Sequence, residues 1–215
     1  SSATDLFLTS QIAQKTGYPM FCVDYRLAPT HKFPKGLSDC FQAYLWIQYY
    51  AEKYLQLTFR EIVLEGDSAG GNLLIGTVAQ AIHRGLKVPS SLCLEYPCAA
   101  TDGESFSPSL LAGIDNVSLN YYFLPMVLEL YTTQDQQKNP FSCVKYLDDQ
   151  ILKGFPPMKI IIAEVDAIRD EMFRFAVRCL KNGVRVELQV FRHQFHGFIG
   201  HSDLPEERNM TPVGL

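Results

Sequence analysis

The stretch EGDSAGGN, residues 65–72, places a serine between glycines directly after an apolar run. Residues 62–64 before it predict a buried strand, and apolar residues at helical spacing after it predict a helix. Ser68 would then lie on a sharp strand-to-helix turn, where a serine hydroxyl is exposed for nucleophilic attack. Small residues at Gly66 and Gly70 would let the strand and the helix pass close together. This geometry suits acyl transfer.

The same turn predicts where negative charge would be stabilised. The N–H of Ala69, the residue after the serine, would point toward a developing oxyanion. Gly66, Asp67 and Gly70 would form the rest of the turn. The alternative is that the glycines mark only a turn and a helix start. A phosphate-binding loop is disfavoured, because no lysine follows the glycines and no G-x-G-x-x-G is present.

A serine nucleophile needs an imidazole to accept its proton and a carboxylate to orient that imidazole. On a sheet of this kind the acid and then the histidine should follow the serine, each after a later strand. Asp166 comes directly after the apolar run KIIIAEV and is the favoured acid. Asp170 is the alternative, although an acidic residue in a first helical turn is also expected simply to favour the helix dipole. Glu164 would still lie within the strand.

Three histidines follow the predicted strand VELQVF: His193, His196 and His201. His196 is favoured over His193, because Gly197 allows close approach of the backbone and Phe198 can pack beneath the imidazole. His31 and His83 lie beside other elements. The alternative for any single histidine is a structural role. That alternative is disfavoured here because acid and base appear in the required order.

Strand and helix patterns alternate along the chain, which implies a parallel sheet. The strand patterns are residues 19–25, 62–66, 91–97, 158–166 and 184–191, and the helical patterns are residues 37–55, the stretch after Ser68 and residues 169–182, closed by Gly183. Residues 98–157 interrupt this alternation with several prolines and one helical pattern at 118–131. An insertion of this length is typical of a cap or lid. Its aromatic residues suggest either an apolar acyl site or simple packing of a small cap: Phe106, Tyr121, Tyr122, Phe123 and Tyr131.

Composition narrows the class of protein. With 215 residues, 47% of them hydrophobic, the chain can bury a sizeable core, and one domain over residues 1–215 is expected. The net charge of −4 provides no basic field for nucleic acid or an anionic membrane. The six cysteines form no CxxC pair, so neither zinc nor a disulfide framework is predicted, and a cytoplasmic location is favoured. No segment is long and apolar enough to predict a transmembrane helix.

Several motifs in order along the chain resemble the hormone-sensitive lipase family of α/β-hydrolases. They are DYRLAP at 24–29, FP at 33–34, GDSAGGNL at 66–73, YP at 96–97, DAIRDE at 166–171 and HGF at 196–198. The segments SPSLLAG and NPF are similar, more weakly, to the animal lipase branch. The resemblance implies an α/β-hydrolase fold with a mostly parallel sheet, helices on both faces and a cap-like insertion at about 98–157.

The resemblance also implies a serine carboxylesterase or lipase of lipid metabolism. Ser68 would be the nucleophile, Asp166 the orienting acid and His196 the general base and acid. Asp24, Arg26 and Pro29 match a motif that we interpret as structural. The family's oxyanion motif, a histidine followed by glycines, is expected before Ser1 and is absent from this sequence, as are the first sheet strands.

We therefore expect a partial domain in which Ala69 is the one recognisable oxyanion donor. Residues 1–215 alone would then be poorly soluble and nearly inactive, and a chain extended through the glycine motif would be soluble and active. Thr30 departs from the glutamate that the family usually has after LAP, and no effect of this follows from the sequence.

The function predicted from these residues is hydrolysis of carboxylic esters with apolar acyl groups, such as acylglycerols, through an acyl-enzyme. The substrate would be a small-molecule ester, and no metal or organic cofactor is expected. Peripheral contact with lipid stays open, and the sequence carries no signal for an oligomeric state. The alternative is an α/β-hydrolase-like protein with impaired catalysis that binds a small apolar ligand.

Overall fold

The computed structural model describes residues 3–103, 107–116, 118–120, 122–201 and 212–213. Its helices are α1 (Ala3–Thr16), α2 (Lys35–Trp46), α3 (Glu52–Leu55), α4 (Ser68–His83), α5 (Pro108–Ala112), α6 (Phe123–Tyr131), α7 (Asp149–Leu152) and α8 (Arg169–Lys181). Its strands are β1 (Val63–Asp67), β2 (Ser91–Glu95), β3 (Met158–Val165), β4 (Val186–Phe195) and β5 (Pro212–Val213).

The strands form one sheet in the order β1-β2-β3-β4-β5. The first four are parallel, and β5 pairs antiparallel with β4. The alternation of strands and helices thus gives the parallel sheet that the sequence predicted. Because the strands run in the same direction, their carboxyl ends lie along one edge of the sheet, which is the edge that carries Ser68, Asp166 and His196.

One face of the sheet forms the main core. Leu94, Ile160 and Ile162 are fully buried on this face, against residues of α4 and α8 such as Ile75 and Phe175. Burying an aliphatic or aromatic side chain of this size contributes about 1.5–3 kcal/mol. This packing fixes the strand ends relative to the starts of α4 and α8, and therefore the position of the site.

The opposite face of the sheet is largely polar. Glu65, Cys93 and Lys159 lie side by side on three strands, and the Lys159 ammonium pairs with the Glu187 carboxylate at 3.1 Å. Val63 is on this face and is 53% exposed, so the expectation of a fully buried strand at 62–64 was wrong. The reason is that β1 is an edge strand whose second face is not covered by the described residues.

Residues 19–25 form no strand in the described structure, contrary to the sequence pattern. A strand requires a neighbour to complete its hydrogen-bond ladder, and no described strand pairs with this segment. The residue that follows this segment, Arg26, is hydrogen-bonded to Asp39 of α2 instead. The Asp39 carboxylate accepts hydrogen bonds from Nε and Nη2 of Arg26 at 2.8 and 2.7 Å and from the backbone N–H of Arg26 at 3.0 Å. These bonds lower the pKa of Asp39 to about 2.

The predicted helices are present. The pattern at 37–55 forms α2, a π-helical turn at Ile47–Ala51 and α3 in succession. The pattern at 169–182 forms α8, which ends before Gly183, a residue with a φ of 83° that favours glycine. Residues 98–157 contain α5 and α7 in addition to α6, which begins at Phe123 rather than 118.

Candidate active site

The turn between β1 and α4 has the sharp geometry that the glycines predicted. β1 ends at Asp67 and α4 begins at Ser68 with no intervening loop. Ser68 has a φ of 45°, a left-handed conformation that is sparsely populated by non-glycine residues. Such strain costs on the order of 1–3 kcal/mol and persists only where the surrounding structure imposes it. The N–H of Ala69 lies in the first turn of α4, where backbone donors have no partner within the helix.

Close packing explains two of the glycines around Ser68, only one of which, Gly66, was predicted from the sequence. A Cβ on Gly66 would lie 3.1 Å from the carbonyl carbon of Gly70, so a small residue is needed there, as expected. A Cβ on Gly70 would meet only Asp67 Oδ1, at 3.8 Å, so the expected crowding at this position was wrong. The second tight position is Gly71, where a Cβ would lie 2.7 Å from Cβ of Pro97.

The structure brings Ser68, His196 and Asp166 into one hydrogen-bonded chain. Ser68 Oγ lies 2.7 Å from His196 Nε2, and His196 Nδ1 lies 2.8 Å from Asp166 Oδ2. Asp166 Oδ1 also accepts the backbone N–H of Ile168 at 3.0 Å, which fixes the carboxylate plane. Asp166 is 3% exposed and His196 is 8% exposed, so water has little access to the imidazole–carboxylate pair.

The elements explain why these three side chains meet. Asp166 directly follows β3, His196 directly follows β4, and Ser68 directly follows β1. Gly197 has a φ of 85°, which turns the chain away immediately after the histidine. Phe198 is 1% exposed and packs on Tyr96, which in turn packs on the imidazole.

The other candidates occupy different surroundings. The Asp170 carboxylate accepts the backbone N–H of Ser109 at 2.9 Å and pairs with Arg169, so it joins α8 to the insertion rather than to the imidazole. Glu164 lies in β3, as predicted, and accepts the backbone N–H of His193. The side chain of His193 is 89% exposed.

The remaining histidines lie elsewhere. His83 is exposed at the end of α4, with its ring 5.9 Å from the ring of Phe141. His31 is exposed in a turn. The side chain of His201 lies outside the described residues.

Two residues of the site were missed as functional candidates. Asn72 is 4% exposed, and its side-chain amide donates hydrogen bonds of 2.6 Å to the carbonyls of Cys98 and Ser142. It therefore joins the start of α4 to the segment after β2 and to the insertion. Tyr96 packs on the His196 ring with centroids 5.0 Å apart. An amide near the start of a helix and a tyrosine in the YP motif were the available signals.

A buried carboxyl lies near the turn. Glu95, the last residue of β2, is beside Asp67 in the sheet and is 7% exposed. Its Oε2 has no hydrogen-bond partner among the described residues. Burial, together with the charges of Glu65 and Asp67, raises the pKa of Glu95 to about 8. The group is therefore largely protonated at neutral pH.

The insertion and the start of α8 enclose a cavity of about 80 Å³. Its apolar lining includes Leu110, Leu124, Leu128 and Ile168. Three of the five aromatic residues named above as candidates for an acyl site fall within the described ranges, and none of the three lines the cavity. Tyr122 and Phe123 are 80% and 42% exposed, and Tyr131 packs on Phe33.

Phe106 and Tyr121 lie outside the described residues. Tyr131 therefore packs against the segment just before α2, and the apolar residues that line the cavity are aliphatic.

The described residues contain no group of His, Cys, Asp and Glu side chains arranged to hold a metal ion. In the same part of the chain, no helix has the length and apolar character needed to cross a bilayer.

A family model described as the alpha/beta hydrolase fold matches residues 1–200. The chain belongs to the α/β-hydrolase family. This α/β-hydrolase is 38% identical over 120 residues to the hormone-sensitive lipase of Mus musculus, a match that covers 56% of this chain and 16% of the lipase. It is 30% identical over 199 residues to an ethyl acetate hydrolase of Pseudomonas putida, covering 91% of this chain and 61% of that enzyme. The resemblance to the hormone-sensitive lipase family is thereby confirmed.

The fold agrees with the sequence relationship. The hyperthermophilic esterase of the archaeon Pyrobaculum calidifontis superposes on the α/β-hydrolase with a TM-score of 0.84 and 30% sequence identity. The superposition covers 92% of this chain and 64% of the esterase. The α/β-hydrolase thus spans less than two thirds of the length of each of these relatives.

Proposed function

We propose that this α/β-hydrolase cleaves carboxylic esters through an acyl-enzyme formed on Ser68. The observation that carries the proposal is the unbroken hydrogen-bonded chain from Ser68 through His196 to Asp166. A serine hydroxyl is a weak nucleophile unless a base accepts its proton, and an imidazole at 2.7 Å is within the range for that transfer. Relatives named as an ethyl acetate hydrolase and a lipase support the ester as the bond that is cleaved.

In the first half of the reaction, Ser68 Oγ attacks the carbonyl carbon of the ester and His196 Nε2 takes the hydroxyl proton. The resulting imidazolium is stabilised by the Asp166 carboxylate at Nδ1. The negative charge on the former carbonyl oxygen is stabilised by the N–H of Ala69. When the tetrahedral intermediate collapses, the bond to the alkoxy oxygen breaks and the proton on Nε2 passes to the leaving alcohol.

In the second half, water attacks the acyl group on Ser68 while Nε2 accepts a proton from it. Collapse of this second intermediate releases the carboxylic acid and returns the proton to Ser68 Oγ. Asp166 stays ionised throughout and keeps Nδ1–H in place, a role that its second bond, to the N–H of Ile168, supports. No step of this scheme uses a metal or an organic cofactor.

The substrate that fits this proposal is a small, neutral ester with an apolar acyl group, acylglycerols included. The cavity between the insertion and α8 is the candidate place for part of the substrate, because Ala167 in its lining is the neighbour of Asp166. Its lining is largely apolar and also includes Asp102, Ser107 and Glu171. Residues 98–157 would then act as a cap over the site of a single domain. A role in lipid metabolism and peripheral contact with lipid follow from the same substrate class.

A cytoplasmic location is part of this proposal. All six cysteines are free thiols, and three of them are buried: Cys40, Cys143 and Cys179. Burial raises the pKa of Cys179 to about 12, so this thiol stays protonated and unreactive. Free, protonated thiols are typical of proteins from reducing compartments.

The test uses the full-length protein, a fluorophosphonate probe and a short p-nitrophenyl ester. Ser68→Ala should abolish labelling, and Ser68→Ala and His196→Ala should each lower kcat by a factor of about 10⁴ or more. Asp166→Asn should lower kcat by about 10⁴, because the imidazole loses its orienting acceptor. His193→Ala and Asp170→Asn are the matched controls and should stay within about twofold, since neither side chain contacts the imidazole.

Undiminished hydrolysis by Ser68→Ala would reject the assignment of the nucleophile. A folded wild-type protein that neither reacts with the probe nor turns over esters, yet is stabilised by an apolar ester analogue, would favour the ligand-binding alternative instead.

A further inference from the structure

Tyr96 occupies a backbone conformation that its own residue type does not favour. It directly follows β2 and has a φ of 36°, although it is not a glycine. Its N–H donates a hydrogen bond of 2.7 Å to the carbonyl of Ile161 on β3, and its side chain is 1% exposed. Strained residues of this kind persist where the surrounding packing determines them, and they concentrate at functional sites.

The ring of Tyr96 completes a line of aromatic contacts that ends at the imidazole. Phe191 on β4 lies 5.2 Å from Phe198, Phe198 lies 5.6 Å from Tyr96, and Tyr96 lies 5.0 Å from His196, measured between ring centroids. Phe198 and Tyr96 are each 1% exposed. The imidazole is therefore supported through buried rings from the strand that also carries it.

The two hydrogen bonds of His196, from Nδ1 to Asp166 and between Nε2 and Ser68, lie at the ring edge and do not contact its faces. Rocking of the ring about the line through its two nitrogens is therefore limited by its bond to Cβ and by the side chains that pack on its faces. An aromatic ring packed against the imidazole restricts that rocking. The Tyr96 and His196 ring planes are inclined by 60° with their centroids 5.0 Å apart, so the two rings are in direct contact.

The contact between Tyr96 and His196 also affects the charged form of the imidazole. A cation that lies over the face of an aromatic ring, within about 6 Å of its centroid, is attracted by the ring's π-electrons, more strongly where water is excluded. His196 becomes a cation in both halves of the proposed reaction, and it is 8% exposed. The Tyr96 hydroxyl interacts with the backbone of Ile199 rather than with the imidazole, and burial raises the pKa of this hydroxyl. Any effect on His196 therefore comes from the ring.

We propose that Tyr96 is a positioning residue for His196, whose buried ring fixes the tilt of the imidazole between Ser68 and Asp166 and stabilises the imidazolium. This inference rests on the proposed function of the triad.

The test compares Tyr96→Leu, which removes the ring, with Tyr96→Phe, which retains it. In the full-length protein, Tyr96→Leu should lower kcat for a p-nitrophenyl ester about tenfold and leave KM within about twofold. Its acidic limb of kcat/KM against pH should move to lower pH by about half a unit, because the imidazolium loses the aromatic face. Tyr96→Phe should restore both quantities to within about twofold of wild type. Phe198→Leu is the control for general packing, because it removes a buried ring that contacts Tyr96 while Tyr96 itself is retained.

A readout without turnover separates this inference from the proposed function. The downfield proton resonance of His196 Nδ1–H, in its bond to Asp166, should shift or broaden in Tyr96→Leu and keep its position in Tyr96→Phe. If Ser68→Ala keeps full activity while this resonance behaves as expected, the proposed reaction fails and the positioning role stands. Should Tyr96→Leu not fold, Tyr96→Met replaces it.

Three results would overturn the inference. They are an unchanged kcat and pH profile in the folded leucine or methionine variant, equal losses in Tyr96→Phe and Tyr96→Leu, and an equal shift of the acidic limb in Phe198→Leu.

Discussion

The glycines around Ser68 differ in how much space the fold leaves beside them. Gly70 and Gly71 both lie in the first turn of α4. A Cβ on Gly71 would lie 2.7 Å from Cβ and 3.1 Å from Cα of Pro97, whereas a Cβ on Gly70 would meet one side-chain oxygen at 3.8 Å. Since the Pro97 contact includes backbone, neither side can move aside without shifting the turn that presents Ser68.

We expect Gly70→Ala and Gly71→Ala to change stability in opposite directions. Alanine is favoured over glycine within a helix by up to about 1 kcal/mol, so Gly70→Ala should be neutral or stabilising. Gly71→Ala should destabilise the protein by about 1–3 kcal/mol, because overpacking outweighs that preference. The midpoints of urea unfolding measure both. Equal changes at the two positions would contradict the assigned crowding.

Much of the candidate site could be predicted from residue types and order alone. Ser68, Asp166 and His196 each follow a strand directly, and the carboxyl ends of parallel strands share one edge. What the sequence could not indicate were contacts made across the fold. The need for a small residue at Gly71 depends on Pro97, and the packing of Tyr96 on His196 depends on how the loops after β2 and β4 meet. Neither contact has a periodic signal.

At the scale of elements, α4 contains a buried hydroxyl that its surroundings do not satisfy. Thr77 is 1% exposed, and its Oγ1 has no hydrogen-bond partner among the described residues. Thr101, at the start of the insertion, is 2% exposed, and its Oγ1 donates toward the carbonyl of Gln137 at 3.2 Å. The two threonines thus share burial and differ in hydrogen bonding.

Valine has nearly the shape of threonine without the hydroxyl. Thr77→Val should therefore stabilise the protein by about 1 kcal/mol, because a desolvated, unbonded hydroxyl is removed. Thr101→Val should destabilise it by about 1 kcal/mol or more, because the carbonyl of Gln137 loses its donor. Thermal and urea unfolding of the two variants give the comparison. A loss of stability in Thr77→Val would show that this hydroxyl is bonded in solution.

The elements that the sequence predicted well are those stabilised by their own neighbours in the chain. β2, β3 and β4 pair with one another, and α4 and α8 pack on them. The pattern at residues 19–25 has the composition of a strand, but it forms none without a partner in the described structure. Local composition gives a preference for extended backbone, whereas a strand also requires a second chain segment beside it.

At the scale of the whole molecule, the insertion is joined to α8 at both of its ends. Near its start, the Ser109 hydroxyl donates to the carbonyl of Ala167, and its N–H donates to Asp170. Near its end, the Arg178 guanidinium donates to the carbonyls of Val144 and Leu147 at 2.8 and 2.7 Å. Because α8 begins just after Asp166, the segment proposed as a cap and the proposed acid are both adjacent to the same helix.

The polar face of the sheet gives the molecule a stability that depends on pH. Glu95 is buried on this face beside Asp67 and Glu65, and its pKa is raised from 4.5 to about 8. The native state therefore keeps a proton between about pH 4.5 and 8 that the unfolded state releases. For a group of this kind the free energy of unfolding is highest below the unfolded pKa and falls as pH rises to the folded pKa, by at most about 1.4 kcal/mol per pH unit.

Glu95→Gln should remove that dependence while keeping the shape of the side chain. At pH 5 the variant and the wild type should have similar midpoints of urea unfolding. Between pH 6 and 8 the free energy of unfolding of the variant should rise progressively above that of the wild type, by about 1 kcal/mol or more at pH 8. Glu187→Gln is the matched control, because Glu187 lies on the same face of the sheet with its side chain 68% exposed and paired with Lys159. The difference in free energy of unfolding between Glu187→Gln and the wild type should stay nearly constant from pH 5 to 8. Parallel curves for Glu95→Gln and wild type would show that Glu95 is ionised in the native state at neutral pH, with a cation or a donor beside Oε2.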